Sequence, residues 1–139
     1  MLKQFLSPKL NDTGINSALL ILRLVSASLM IPHGYKKLMH FSEKSEDFMN
    51  FMGLSSEISL ALVVGAEFFC AILLGVGLFS RMAVIPMVVA MLVAAFDAHE
   101  GEIFGDGETA FLYLACYVTV LIAGPGKWSL DYLLFEPKG

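Results

Sequence analysis

Seven side chains in this sequence combine binding or proton chemistry with apolar surroundings: Arg23, His33, Lys37, Glu67, Asp97, His99 and Glu108. A carboxylate and an imidazole can exchange protons near neutral pH, and a lysine or arginine can orient an anionic or carbonyl oxygen. Glu67 stands in "VVGAEFFCAILLGVG" and His33 in "LMIPHGYKKL". An ionisable group inside such a run is expensive to place in lipid, about 2.5–3.5 kcal/mol on insertion scales, and marks a functional site by default.

The surroundings are apolar throughout the chain. Of 139 residues, 57% are hydrophobic and only 16% charged, and the mean hydropathy is +0.73. Soluble domains carry about 25% charged residues, and a soluble fold of this size needs that polar supply to cover itself. The expected solvent is therefore a lipid bilayer. Four apolar blocks, about residues 17–39, 57–79, 82–98 and 108–124, approach the roughly 17–25 residues of a membrane-crossing helix. Strand alternation is absent, and lipid tolerates no unpaired backbone, so the expectation is a single all-α domain, a bundle of four transmembrane helices. Ser26 to Ser28 imitate a signal-peptide cleavage site, but Arg23 interrupts the run before it and the apolar stretch continues beyond it, so a span is expected.

Basic residues set the expected orientation. With four spans, Lys3, Lys9, Arg81, Lys127 and Lys138 fall on one side and Lys36, Lys37 and Lys44 on the other, five against three, which places both termini in the cytoplasm. Trp128 then serves as an interfacial anchor. At a rise of about 1.5 Å per residue, Glu67 lies about 18 Å from the cytoplasmic end, Asp97 about 22 Å and His33 about 24 Å, with His99 higher and Glu108 at the outer mouth. Helical phase puts Arg23, Met30, Gly34 and Lys37 on one stripe with His33 at its edge and Lys36 opposite. Leu60, Glu67, Leu74 and Arg81 form a second stripe. Turned inward, both make the outer half of the bundle interior polar.

Other features concern packing. Pro32 is expected to kink the first helix, Pro86 to sit in the first turn of the third, and Ala71 with Gly75 to permit close helix approach. Cys70 and Cys116 lie in separate spans, outside any C-x-x-C pair, and read as small apolar packing residues. His33, Glu67, Asp97 and His99 have metal-ligand chemistry without tight spacing, so no metal is assigned.

"LRLVSASLMIPHGYKKL", the glutamate in "VVGAEFFCAILLGVGLFSR", "AAFDAH" and "GETAFLYL…LIAGPGKWSLD" resemble the DoxX family of small integral membrane proteins, in order and spacing, from about Leu20 to Leu133. The resemblance implies a four-helix membrane protein described in redox terms, similar to a subunit of thiosulfate:quinone oxidoreductase, to quinone detoxification and to oxidative-stress systems. Distant animal relatives resemble receptor assembly chaperones. The family pattern covers Arg23, Gly34 and Lys37, then Glu67, Gly75 and Arg81, then His99, Glu108, Gly124, Gly126, Ser129 and Asp131. Asp97 rests on depth alone.

The expected role is that of a quinone-interacting subunit or accessory of a membrane oxidoreductase. Glu67 and His33 exchange protons, while Arg23, Lys37, Asp97, His99 and Glu108 bind substrate. No covalent cofactor is expected, because no flavin, haem or iron–sulfur motif is visible, so electrons come from a redox partner protein. A homo-oligomer is the other partner expected. The alternatives are a membrane scaffold or assembly factor using the acidic loop from Glu100 to Glu108, and a small-solute carrier. A net charge of −4 without a basic patch disfavours nucleic acid. A bacterial cytoplasmic membrane is the expected home.

Overall fold

The computed structural model describes residues 1–98 and 103–137, and among them every regular element is helical. A short helix, α1 (Leu2–Phe5), precedes the long α2 (Asp12–Met39), and α3 (Phe41–Asp47) leads to α4 (Ser56–Val76). Then come α5 (Ser80–Val93, continuing as the π-segment Ala94–Ala98), α6 (Glu108–Ala123) and α7 (Leu130–Phe135). Within α4 the turn from Gly65 to Cys70 is also π-helical, which puts Glu67 on a widened turn. Such turns occur often at functional sites because the extra residue re-aims side chains.

Local chemistry explains the boundaries. Asn11 Oδ1 accepts from the Gly14 amide at 2.6 Å and caps α2, whose last turn carries Lys36 and Lys37 where the helix dipole favours cations. Ser55 caps α4, and Ser59 Oγ accepts from Phe51 N–H at 2.9 Å, holding the preceding loop against the helix. Gly77, at φ +76°, ends α4, with the Leu78 amide returning to the Leu73 carbonyl. That stop corrects two expectations. Arg81 belongs to α5 rather than α4 and is exposed, donating to the Ile122 carbonyl at 3.3 Å. Pro86 lies inside α5, beyond the first turn, because the helix begins at Ser80. α2 continues through Pro32, whose ring removes the amide that would reach the Ser28 carbonyl.

Met30, Ala66, Leu74, Val84, Met87, Met91, Tyr117 and Val120 belong to the buried core. Ile21, Leu29, Leu62, Ile85, Leu112 and Ile122 point outward and are exposed, the pattern of a surface solvated by lipid. Asp12–Met39, Ser56–Val76 and Ser80–Asp97 are long and apolar enough to cross a membrane, and Glu108–Ala123 is a shorter apolar helix of 16 residues. At 1.5 Å per residue that helix covers about 24 Å of a core about 30 Å thick. Pairing is mainly α2 with α4 and α5 with α6. Ala71 is fully buried, and a Cβ on Gly75 would touch Ala27 Cβ at 3.4 Å, so the small residues do sit where α4 meets α2.

Candidate functional site

Arg23, Met30 and Gly34 are buried on α2, Lys37 is half-buried and Lys36 is exposed. The stripe expected from helical phase therefore faces α4. Gly34 makes the contact possible: a Cβ there would stand 2.6 Å from Phe68 N and 2.7 Å from the Glu67 carbonyl carbon. Only a glycine lets α2 approach the π-turn this closely. One turn further along α2, Lys37 Nζ forms an ion pair and hydrogen bond with Glu67 Oε2. Glu67 is 7% exposed. A carboxylate at this depth is stable only with such a partner, since desolvation of a lone charge is costly.

Beside the pair lies a cleft of about 310 Å³, to which Glu67, His33, Tyr113, Thr109 and Asp106 contribute polar groups and Met30 and Met91 an apolar wall. His33 is exposed along this cleft and meets Tyr113 edge to face, with ring centroids 6.4 Å apart and planes at 84°. Tyr113 stacks on Tyr117 at 5.9 Å. Tyr117 is fully buried, packs near Glu67 around Met87 and Met91, and its hydroxyl has no hydrogen-bond partner among the described residues. The cleft thus presents a carboxylate already paired with the Lys37 ammonium, an imidazole and a phenol to one small volume, bordered by thioethers. That set can hold a polar ring and move protons to or from its oxygens.

The structure brings together Glu67, Lys37 and His33 and leaves other expected members elsewhere. Arg23 does not join Glu67. The residue is 1% exposed, and its guanidinium donates to four backbone carbonyls: Leu74 at 3.2 Å, Gly75 at 3.3 Å, Pro125 at 2.6 Å and Trp128 at 3.0 Å. The physical reason is position, because Arg23 lies about four turns before Lys37 and faces the end of α4 and the loop after α6. Asp97 and Glu108 are exposed and do not line the cleft. His99 lies outside the described residues. Asp106, Thr109, Tyr113 and Tyr117 were not singled out from the sequence. The Tyr-x-x-x-Tyr spacing in "FLYLACY" was the available signal, since a tyrosine hydroxyl within a span needs a partner.

The tail signature builds the opposite end. Asp131 accepts from the amides of Phe79 at 2.6 Å and Ser80 at 2.9 Å, capping α5 from a distant segment, and its own amide donates to the Gly77 carbonyl. Asn16 Oδ1 accepts from Lys127 N–H at 2.7 Å, and a Cβ on Gly77 would fall 2.5 Å from Ser129 Cβ. Arg23 sits at the centre of this clamp.

The DoxX family model matches residues 18–100, which contain both halves of the Lys37–Glu67 pair. The chain belongs to the DoxX family. A relative from Haemophilus influenzae, an uncharacterized protein, is 31% identical over 128 residues, covering 85% of this chain and 91% of its own length. No solved structure matches. Together with the apolar helices, membership makes this DoxX protein a multi-pass membrane protein.

Proposed function

We propose that this DoxX-family protein is a quinone-interacting subunit or accessory of a membrane oxidoreductase, with the ring held in the cleft beside Lys37 and Glu67. The observation that carries the reading is the ion pair of half-buried Lys37 with buried Glu67, which sits on a π-turn and lines a cleft shared with His33 and Tyr113. Quinone reduction consumes two electrons and two protons. Electrons arrive from a partner protein, and this chain's part is to orient the ring oxygens with Tyr113 and to exchange protons at His33 and at Glu67, which Lys37 holds in place. Methionine side chains provide an adaptable apolar border for the ring. A volume of about 310 Å³ lies at the small end of ligand clefts, which suits a ring better than a large solute.

The proposal includes four membrane crossings with both termini in the cytoplasm of a bacterial cell. It is supported by the five-to-three distribution of basic residues and by the contact of Asn16 with Lys127, which puts the start of α2 and the end of α6 at one end of the bundle. α6 reaches across with local thinning or flanking residues making up its length.

Redox-induced infrared difference spectra of quinone-loaded protein test the proton step. The expected result is a carboxyl band that accompanies quinone reduction and vanishes in Glu67→Gln. A spectrum without a protein carboxyl change would overturn the assignment.

A further inference from the structure

A second hollow adjoins the cleft on the outside of the bundle. It follows the seam between α2 and α6, holds about 330 Å³, and runs between Ile21, Val25 and Leu29 on one side and Leu112 and Cys116 on the other. Thr109 and Tyr113 line both this furrow and the polar cleft, so the two are neighbours that share those side chains. The seam stays open because α6 packs chiefly on α5 and α2 chiefly on α4. Its surface is apolar. Ser26, a hydroxyl midway along it, is satisfied inside its own helix by donating to the Leu22 carbonyl at 2.6 Å, and the hydroxyl residues Thr109 and Tyr113 stand at the end next to the cleft.

Resting on the quinone reading above, we propose that this furrow seats the apolar tail of the molecule whose ring occupies the cleft. The ligand class is therefore a long-tailed, membrane-dissolved prenylated ring that enters sideways from lipid between α2 and α6, rather than a water-soluble quinone. Length fits: Ile21 to Leu29 spans about 12 Å along α2, and His33 lies about 6 Å further. Charge selects the head. Glu67 and Asp106 line the cleft and Lys37 is already paired, so a phosphate head is disfavoured and a neutral ring with carbonyl oxygens is accepted. A further apolar hollow, about 180 Å³ between Phe48, Phe51, Leu62 and Val89, shares no lining residue with the cleft.

The test uses full-length protein in nanodiscs of fixed phospholipid and two benzoquinones with the same ring, one carrying a long isoprenoid tail and one only a methyl group. Val25 and Leu112 are 53% and 63% exposed, so tryptophan at either position fills the furrow without entering the core. Val25→Trp and Leu112→Trp are expected to weaken the long-tailed quinone about tenfold while the tail-less ring changes less than about twofold. Unchanged affinity for the long-tailed quinone in both variants would overturn the proposal. A photoreactive group in the quinone tail is expected to mark Val25, Leu29 or Leu112. Labelling of those residues by a photoreactive phospholipid that excess quinone fails to displace would assign the furrow to bulk lipid and also overturn it. Failure of the underlying ring assignment is separable: the tail-less ring would then bind wild type and Glu67→Gln alike, or neither.

Discussion

At the residue scale, the Lys37–Glu67 pair has a structural and a binding part, and substitutions can separate them. Lys37→Met leaves Glu67 as a buried, unpartnered carboxylate and is expected to lower stability by about 1–3 kcal/mol. Lys37→Met with Glu67→Gln removes both charges and is expected to recover most of that loss, while quinone binding stays absent. Thermal unfolding in detergent beside a binding titration checks both; a double variant no more stable than Lys37→Met would contradict the pairing. Lys36 is exposed and its ammonium has no partner among the described residues, so Lys36→Gln is expected to be nearly silent in both measurements. The contrast between neighbouring lysines was legible in the sequence because helical phase is a local property. The partners of Arg23 were not, since backbone carbonyls carry no residue type to match. The turn at residues 103–107, just before α6, brings Asp106 to the cleft, which periodicity does not register.

At the element scale, the approach of α2 to the π-turn of α4 decides whether the site exists. Gly34→Ala drives a methyl into Phe68 N and the Glu67 carbonyl carbon, and is expected to cost about 1–3 kcal/mol and to weaken quinone binding by separating Lys37 from Glu67. Gly65→Ala, where nothing lies within 4 Å of the new Cβ, is the matched control and is expected to leave stability unchanged or slightly raised. Equal effects of the two would refute the close approach. The three long apolar helices and the shorter Glu108–Ala123 were readable from hydropathy, but the stop at Gly77 was not. A left-handed glycine ends one helix before Ser80 and Arg81 interrupt the apolar run, two residues earlier than hydropathy placed it, and the distant Asp131 cap begins the next. The π-turn also escapes periodicity, because its extra residue changes backbone pairing and not composition.

At the scale of the whole molecule, two ends do different work. The end built from Arg23, Gly77, Ser129 and Asp131 fastens the helices, and the other end holds the cleft. Arg23→Lys keeps the charge but loses the planar fork that reaches four carbonyls, so a loss of about 2 kcal/mol is expected, with the affinity of folded protein for quinone retained. Loss of binding at unchanged stability would move Arg23 back to the site. Charge distribution gives the topology its own check: Ser7→Cys and Lys127→Cys are expected to react with an impermeant thiol reagent from the same side of sealed vesicles, and Lys44→Cys from the other. The most direct test of the account is equilibrium binding of a tail-less benzoquinone to nanodisc-embedded protein, wild type beside Glu67→Gln. Saturable binding that falls at least about tenfold in the variant is the expected result. Absent binding in wild type, or equal binding by the two, would contradict a quinone site at Glu67.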